Sequence, residues 1–349
     1  MSIITSFTRT WLTRTVQPFR FKNEYDRILP YEECDNLGLY VHIPFCKSIC
    51  NFCPYCKVLY SKELCDRYID SLIDEIHLIG RTKPGRKKAT SLYFGGGTPA
   101  LASERIKDII DAVNEHFIIT EGVGLELHPD NVNEDTLSVL KEAGVTKISI
   151  GIQSFSDKYQ KVLGRKRIDT SALASALKAV DFETVSMDFI FALPGQTFDD
   201  LKTDIDTAFS LGANHVAIYP FIDFTFTESY VEPMPKKEKR RLLDDITNYC
   251  LGKGYSRSSV WTFSSVPEAK YSSMTRDNFL GFGCSATSLF KEQFKINTFD
   301  GFVSHNSPHL IYIRERIEIL IVMIVKRALE RHFICAAALR HKAEALCKP

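Results

Sequence analysis

Three cysteines, Cys46, Cys50 and Cys53, stand close together in one predicted loop with the spacing C-x3-C-x2-C. This spacing allows three thiolates to hold three irons of a 4Fe–4S cluster, and soft thiolate ligands suit iron–sulfur centres. The fourth iron then has no protein ligand. An open coordination position can chelate a small molecule, as the open position of a catalytic zinc site does. The spacing therefore predicts a 4Fe–4S cluster that takes part in chemistry.

Two other interpretations of these cysteines stay open. Cys56 comes three residues after Cys53 and could complete a four-ligand zinc site. Thiols without a metal could also lie buried, where they behave as small hydrophobic groups. A fourth protein ligand would close the open position of a cluster, so we interpret Cys56 as a non-ligand.

The composition indicates which kinds of binding partner and which cellular compartment to expect. The 349 residues include 44 Lys and Arg and 43 Asp and Glu, which leaves a net charge of +1. This near-neutral balance gives no electrostatic reason to expect nucleic acid or an acidic membrane surface as partner. Of ten cysteines, four lie between residues 46 and 56. Such clustering is typical of metal ligation and not of a secreted disulfide framework, so we predict a reducing, cytoplasmic location.

The two ends of the chain carry weaker signals. Residues 1–21 are basic and lack the apolar core of a secretory signal, and we interpret them as a lead-in. A mitochondrial transit peptide is the alternative for this segment. The most apolar run, residues 317–325, is too short to cross a bilayer, so no membrane span is predicted.

Strand-like and helix-like patterns alternate along most of the chain. Short runs rich in β-branched and aromatic residues predict strands at 38–43, 90–94, 124–128, 146–152, 185–191 and 215–221. Helical patterns occupy residues 62–79, 104–116, 133–143, 170–181, 198–211 and 236–254. Strand–helix units in series indicate a parallel sheet, which right-handed crossovers curl into a partial barrel. The chemistry of such barrels lies in the loops after the strands, where the cysteine motif falls.

The fold class predicted from these patterns is α/β, a partial (β/α)6 barrel with a small C-terminal α/β or helical extension. We predict four segments: a lead-in at 1–35, the barrel at 36–225, a barrel-flanking substrate-side region at 226–300, and an atypical, truncated or altered helical segment at 301–349. The last segment is set apart because its apolar residues leave little polar face for an amphipathic helix.

Five motifs in order resemble one known family. They are YVHIPFCKSICNFC (40–53), FGGGTPAL (94–101), GIQSF with LGRK (151–155 and 163–166), MDFIFALPGQT (187–197) and GFGCSATS (281–288). Together they resemble the radical S-adenosylmethionine (SAM) superfamily. More narrowly, they are similar to the branch that contains oxygen-independent coproporphyrinogen III oxidase, the haem chaperone derived from it, and the class C radical methyltransferases of haem-utilisation type. The resemblance implies a partial barrel of the radical SAM type.

The resemblance also implies a SAM site at the mouth of the barrel, beside the cluster. In the family, the backbone at Gly96 and Gly97 meets the methionyl amino group, and Thr98 adds a hydroxyl contact. Glu126 is assigned to the ribose or the methionyl group of SAM. Gln153 and Arg165 are also assigned to SAM.

Three further residues take family roles around these ligands. Tyr40 lies beside the cluster, and Phe52 lies next to the adenine. Asp188 lies between two ligand sites, because the branch often holds a second SAM molecule. His42 receives no role and is expected to be an ordinary core histidine.

The implied activity is reductive cleavage of SAM to a 5′-deoxyadenosyl radical, which acts on a tetrapyrrole (haem or porphyrin) or a similar unsaturated substrate. Flavodoxin or ferredoxin is the expected electron donor. Residues 271–279 depart from the His-Asn-x-x-Tyr segment of the haem chaperone, which favours methyl transfer. A haem chaperone with His305, His309 or Tyr271 as axial ligand is one alternative. Oxidative decarboxylation of coproporphyrinogen is the other.

Overall fold

The structure is a computed structural model that describes residues 29–50, 52–82, 84–222, 232, 234–266, 278–290 and 293–297. All the elements named below belong to the compact unit Pro30–Ser304. Most of the predicted lead-in, the predicted segment 301–349 and the candidate axial ligands Tyr271, His305 and His309 lie outside the described residues.

The described strands alternate with helices along the chain, as the patterns predict. The strands are β1 (Leu37–Ile43), β2 (Phe45–Cys46), β3 (Val58–Leu59), β4 (Lys87–Ala89), β5 (Ser91–Gly96), β6 (Phe117–Ile119), β7 (Val123–Leu127), β8 (Lys147–Gln153), β9 (Thr184–Phe191), β10 (His215–Pro220), β11 (Ser256–Ser259), β12 (Thr262–Ser264), β13 (Asn278–Phe282), β14 (Thr287–Phe290) and β15 (Gln293–Ile296). The six predicted strands are confirmed as β1, β5, β7, β8, β9 and β10.

Four of the seven α-helices in the described residues begin at a side chain that caps them. The α-helices are α1 (Lys62–Gly80), α2 (Ser103–His116), α3 (Glu134–Glu142), α4 (Asp157–Val162), α5 (Thr170–Ala179), α6 (Phe198–Ser210) and α7 (Lys236–Gly252), with short 3-10 helices at Pro30–Glu33, Pro99–Ala102 and Pro129–Asn131. Ser61 accepts a hydrogen bond from the Leu64 amide at the start of α1, and Asn133 accepts one from Thr136 at the start of α3. These caps satisfy amides that a helix leaves unpaired. The predicted helices are confirmed with ends shifted by one or two residues.

The core of the central sheet is parallel, as the strand–helix units predict. The strands are arranged β11-β12-β10-β9-β8-β7-β5-β1-β13-β14-β15 within the described residues. All neighbours from β10 to β13 pair in parallel, whereas the outer strands on both sides pair antiparallel. The parallel arrangement puts the C-terminal ends of seven strands at one edge of the sheet. This confirms the predicted α/β fold with a parallel core.

Strand β13 adds a parallel neighbour that the sequence patterns do not predict. It pairs with β1 on the side opposite β5, with Tyr40 of β1 between Gly281 of β13 and Tyr93 of β5. The motif GFGCSATS therefore begins inside the parallel sheet, next to the strand that leads to the cysteine loop. The predicted boundary at residue 225 between barrel and flanking region stays a prediction.

Side chains of β1 alternate between two environments. Leu39, Val41 and Ile43 have no exposed surface and lie on one face, while Tyr40 and His42 lie on the other. The second face is polar in the neighbouring strands too, because it carries Glu126, Ser149 and Asp188. A barrel of this size normally fills its interior with branched apolar side chains. The polar face therefore indicates an interior that holds a ligand.

No helix within the part of the chain that the structure describes is long and apolar enough to cross a membrane.

Candidate active site

The cysteine loop is anchored at both ends by the barrel. β2 and β3 pair in parallel, with Cys46 opposite Leu59. The Val58 amide donates to the Pro44 carbonyl at 2.7 Å, and the Tyr60 amide donates to the Cys46 carbonyl at 2.9 Å. These hydrogen bonds hold the first and last residues of the loop next to each other, so the loop is closed. The three predicted cluster ligands lie within this loop.

Inside the loop, the backbone turns so that Cys46, Cys50 and Cys53 approach one another. The Cys53 amide donates to the Cys50 carbonyl at 3.3 Å, and the Lys57 ammonium donates to the Cys53 carbonyl at 2.6 Å. All three thiols are partly exposed. Among the described residues, the groups whose ligand atoms all lie within 4.8 Å of one another do not include this trio. At least one pair of these three ligand atoms is therefore more than 4.8 Å apart.

The pKa values of two of these thiols, Cys46 and Cys53, are raised. Burial, together with the neighbouring cysteines, raises the pKa of Cys46 to about 11. Burial also raises the pKa of Cys53, against the opposing charge of Lys57. Three thiolates this close repel one another unless iron neutralises them. Cluster assembly must therefore release protons from the loop.

The glycine motif after β5 is fastened to the cysteine loop. The Gly97 amide donates to the Ile43 carbonyl at 2.8 Å, and the Thr98 amide donates to the Phe45 carbonyl at 2.7 Å. A side chain at Gly97 would meet the Phe45 carbonyl oxygen at 2.6 Å, so only glycine allows this approach. The Thr98 hydroxyl lies 3.9 Å from the Cys46 sulfur. The predicted SAM-binding backbone and the predicted cluster loop thus form one rigid body.

Glu126 contacts the glycine motif from β7. Its carboxylate accepts a hydrogen bond from the Tyr93 hydroxyl at 3.0 Å and another from the Gly96 amide at 3.2 Å. Burial and the nearby Asp188 charge raise the pKa of Glu126 to about 7, against the opposing effect of the two hydrogen bonds. Glu126 therefore holds the glycine motif in position and keeps a carboxylate at the barrel mouth that changes charge near neutral pH.

Asp188 lies in the same interior as Glu126. Its carboxylate accepts hydrogen bonds from the Ser149 hydroxyl at 2.8 Å and the Ser186 hydroxyl at 3.3 Å. The Ser186 hydroxyl also lies 2.8 Å from His215 Nδ1. A chain of polar groups therefore runs from the barrel mouth to the bottom of β10. Two carboxylates facing one interior attract cations, and the sulfonium and ammonium groups of SAM are cations.

Gln153 and Arg165 meet at the C-terminal end of β8. Gln153 has a positive φ of 71°, which re-aims its side chain so that its amide lies over Gly151. Arg165 donates a hydrogen bond to the Gly151 carbonyl, while within the described residues its buried Nε has no hydrogen-bond partner. A buried donor without an acceptor costs free energy, so it indicates a ligand that supplies one.

Phe52 lies on the other side of Arg165. The guanidinium carbon of Arg165 is 5.6 Å from the centre of the Phe52 ring. The ring also packs against a buried cluster formed by Tyr159, Leu163, Ile190, Leu193 and Phe221. Phe52 is thus held by the buried cluster in a position next to Arg165. The structure brings together the predicted residues of the cysteine loop, the glycine motif, β7 and β8.

Several residues of this site are not predicted from the sequence. Tyr93 and Ser149 donate hydrogen bonds to the two interior carboxylates. Each lies two residues before a glycine of its strand, Gly95 in β5 and Gly151 in β8, and this spacing could have indicated that they share the interior face. Tyr55 has an exposed ring yet interacts electrostatically with Glu126 and Asp188, so it lies over the barrel mouth. No periodicity marks a loop residue such as Tyr55. His42, expected in the core, is indeed buried.

The residues present fit the two predicted cofactors. Three grouped thiols on one closed loop leave an iron without a protein ligand, which is the requirement for binding SAM at the cluster. The orphaned Arg165 Nε suits a carboxylate, and the close approach at Gly97 leaves backbone without side chains. The donor set therefore matches a cationic ligand that carries an amino group, a carboxylate and a nucleoside.

Comparisons with known proteins agree with this geometry. The radical SAM superfamily matches residues 40–208. The chain is 29% identical over 264 residues to the heme chaperone HemW of Bacillus subtilis, covering 71% of this chain and 69% of that protein. It is 34% identical over 188 residues to HemW of Lactococcus lactis, covering 52% and 48%. It is 28% identical over 297 residues to the oxygen-independent coproporphyrinogen III oxidase of Cereibacter sphaeroides, covering 75% and 64%.

A solved structure shares the fold. The coproporphyrinogen III oxidase HemN from Escherichia coli superposes with a TM-score of 0.66 at 23% identity, covering 75% of this chain and 66% of that one. The chain spans about half of the Lactococcus protein and just under two thirds of the two oxidases.

Proposed function

We propose that this chain, whose residues 40–208 match the radical SAM superfamily, is a radical enzyme of the branch that includes HemN and HemW. The proposed reaction is reductive cleavage of SAM followed by action on a tetrapyrrole, with methyl transfer as the outcome. One observation carries the enzymatic part. The cysteine loop, the glycine motif and Glu126 are hydrogen-bonded to one another at the barrel mouth.

The family implies a 4Fe–4S cluster and SAM as cofactors. When bound, they supply a one-electron reduction that cleaves SAM to a 5′-deoxyadenosyl radical. Cys46, Cys50 and Cys53 would hold the cluster through three of its irons. Cys56 would not be a ligand, because a fourth thiolate would take the position that SAM needs.

The remaining predicted residues would bind and orient SAM. The backbone at Gly96 and Gly97 would meet the amino group, and Thr98 would contact it from the loop side. Arg165 would bind the carboxylate through the Nε that lacks a partner. Gln153 would bind the ribose. Tyr40 would limit the access of water and oxygen to the cluster, and Phe52 would limit it at the adenine.

Glu126 and Asp188 would control charge at the mouth. Both face one interior and raise each other's cost of ionisation, so a cationic ligand relieves the repulsion. Asp188, held by two serine hydroxyls, would lie towards a second ligand. In the proposal that ligand is a second SAM or the substrate.

The proposed substrate is a haem or a porphyrin. Relatives named for coproporphyrinogen and for heme support this class. The departure of residues 271–279 from the chaperone segment supports methyl transfer over haem delivery. Residues 271–277 of that segment lie outside the described residues. We propose flavodoxin or ferredoxin as electron donor and the cytoplasm as location, on the strength of the clustered thiols alone.

Similarity to HemW of two organisms supports a haem chaperone as the second candidate. A chaperone would bind haem in a one-to-one ratio and pass it on unchanged. Decarboxylation of coproporphyrinogen is a third outcome of the same chemistry, which a product lighter by carbon dioxide would identify.

The test is anaerobic reconstitution with iron and sulfide, reduction, and mass analysis of 5′-deoxyadenosine after incubation with SAM. Cys50→Ala removes one proposed cluster ligand, and Cys250→Ala removes a buried thiol of α7 that has no role in the proposal. We expect the nucleoside from the wild type and from Cys250→Ala, and none from Cys50→Ala. Absence of nucleoside from a wild type that carries about four irons per chain would refute the enzyme and favour the chaperone.

A further inference from the structure

Three side chains that can bind a metal meet at the end of the cysteine loop, apart from the three predicted cluster ligands. We propose that His42, Cys56 and Cys284 form a second metal site, which takes a zinc ion or a similar thiolate-preferring divalent ion. The ligand atoms of all three residues lie within 4.8 Å of one another. Zinc binds thiolates at about 2.3 Å and imidazole at about 2.0 Å, so ligands that surround one ion must be this close to one another. The inference does not depend on the radical reaction.

The three residues are buried and come from separate parts of the chain. Their exposed fractions are 3% for His42, 9% for Cys56 and 8% for Cys284. His42 belongs to β1, Cys56 ends the cysteine loop, and Cys284 follows β13. A metal here would bind the end of the cysteine loop to the two adjacent parallel strands. Such a constraint is what a structural metal site supplies.

The backbone around two of the ligands is held by one side chain. The Tyr68 hydroxyl of α1 donates to the His42 carbonyl at 2.6 Å and accepts from the Cys284 amide at 3.1 Å. The Glu75 carboxylate accepts from the Gly283 amide at 2.9 Å and also holds Asn297. The distance between β1 and the turn after β13 is therefore set before any metal binds. Preorganised ligands lower the cost of binding an ion.

The His42 ring has the support that a metal-binding imidazole usually has. Its Nδ1 lies 3.0 Å from the Tyr40 hydroxyl, and its Nε2 lies 3.1 Å from the Cys56 carbonyl. The ring covers Gly96, where a Cβ would lie 2.7 Å from the imidazole. Metal-bound histidines commonly bond an oxygen through the second ring nitrogen. Because Tyr40 contacts Nδ1, the Nε2 atom can exchange its contact with the Cys56 carbonyl for a bond to an ion.

Charge also favours a divalent ion. Two thiolates and a neutral imidazole carry two negative charges, which a divalent cation neutralises. The Cys56 and Cys284 thiols are hydrogen-bonded to each other, so the two sulfurs lie close enough to bind one ion. Three protein ligands leave a fourth position for water, and Ser285 lies beside Cys56.

Two other roles of these cysteines give different results in one experiment. A Cys56–Cys284 disulfide would need no metal and would remove two titratable thiols on oxidation. A Cys56 that ligates the 4Fe–4S cluster would lower the iron content when it is replaced. The cluster ligands and the proposed zinc ligands are different residues, so variants separate the two metals.

The experiment measures zinc and iron per chain by mass spectrometry after anaerobic purification from zinc-supplemented medium and reconstitution. Cys284→Ala and Cys284→Ser test the proposed site, and Cys50→Ala tests the cluster. Cys56→Ser tests whether Cys56 is a cluster ligand, and Cys250→Ala is the matched buried control. Circular dichroism establishes that each variant is folded. Cobalt titration of the same proteins gives a second readout, because thiolate-bound cobalt has a charge-transfer band in the near ultraviolet.

We expect about one zinc per chain in the wild type, in Cys50→Ala and in Cys250→Ala, as for one mononuclear site. We expect at least a five-fold loss of zinc and of the cobalt band in folded Cys284 variants, with iron unchanged. Equal zinc in the wild type and the Cys284 variants would overturn the proposal. So would a wild type without zinc or a cobalt band, thiol titration that finds a disulfide, or loss of iron from Cys56→Ser.

Discussion

Glu126 and Asp188 place two carboxylates in one barrel interior, where burial and then the charge of Asp188 raise the pKa of Glu126. A buried acid with a raised pKa favours its protonated form in the folded chain. Its stabilising effect is therefore complete below the unfolded pKa of 4.5 and is lost as the pH rises through about 7. The ligand-free protein should be strained at neutral pH, and a cationic ligand should relieve that strain.

Glu126→Gln tests this strain in the ligand-free protein. We expect the free energy of unfolding of the variant, relative to wild type, to increase between pH 4.5 and 7. The increase follows from the pKa shift and is at most about 3 kcal/mol. Urea unfolding at several pH values measures it, with the exposed Glu142→Gln as control for loss of one charge. Parallel pH curves for Glu126→Gln and wild type would contradict the raised pKa.

Arg165 is the residue whose buried Nε lacks a partner within the described chain, so its replacement tests SAM binding. We expect Arg165→Lys to weaken SAM binding by about 10- to 100-fold, because lysine lacks the fork that holds a carboxylate. Equilibrium dialysis against the anaerobically reconstituted protein measures the affinity. Arg167→Ala is the control, since the Arg167 side chain is 82% exposed.

In this experiment, iron content distinguishes a loss of SAM binding from a loss of cluster assembly. Arg165→Lys should keep the iron content of wild type. Unchanged SAM affinity, or a loss of iron that matches the loss of affinity, would remove Arg165 from the proposed site.

At the scale of elements, the site depends on how closely β5 and the cysteine loop approach each other. The Gly97 and Thr98 amides donate to carbonyls of residues 43 and 45, so the glycine motif continues the pairing of β1 with β5. A parallel sheet brings such loops to one edge, and short hydrogen bonds then fix their separation. Small changes in the motif should therefore move the cluster loop.

Gly97→Ala tests this approach. Its Cβ would lie 2.6 Å from the Phe45 carbonyl oxygen, and backbone cannot yield as a flexible side chain can. We expect a loss of about 1–3 kcal/mol in the free energy of unfolding and a lower iron content after reconstitution. Gly252→Ala at the end of α7, which has open space around the new methyl group, is the control. Wild-type iron content and stability in Gly97→Ala would refute the tight approach.

At the scale of the whole molecule, β13 joins the sheet beside β1 although its first residue, Asn278, follows its pairing partner Leu37 by 241 positions in the chain. Tyr68 of α1 links the two strands through the His42 carbonyl and the Cys284 amide. The helix, the first strand and the last parallel strand therefore meet at one hydroxyl. The proposed second metal site depends on this meeting point.

Tyr68→Phe removes that link and nothing else of the side chain. Two buried backbone groups lose their partner, and each costs about 1–3 kcal/mol when unsatisfied. We expect a loss of about 2–4 kcal/mol in the free energy of unfolding, together with weaker zinc binding. Tyr31→Phe is the comparison, because its ring is also buried and its hydroxyl donates to the Ile79 carbonyl. Equal losses in the two variants would show that Tyr68 has no special linking role.

The sequence alone determined the elements and the type of chemistry. Helix α1 was predicted at 62–79 and lies at Lys62–Gly80, because apolar periodicity and the Ser61 cap act within one turn of the chain. The cysteine spacing indicated a cluster for the same reason, since its three ligands lie within eight residues. The family resemblance of the motifs was likewise readable without coordinates.

Only the tertiary structure decided which distant residues meet. No local pattern reports that Tyr93 and Ser149 bind the interior carboxylates, or that β13 pairs with β1. The neighbours of Cys56 are His42 and Cys284, and the latter follows it by more than two hundred residues. Strand pairing depends on the packing of the whole sheet, because each edge accepts many registers until the interior is filled. The proposed second metal site therefore became visible only in three dimensions.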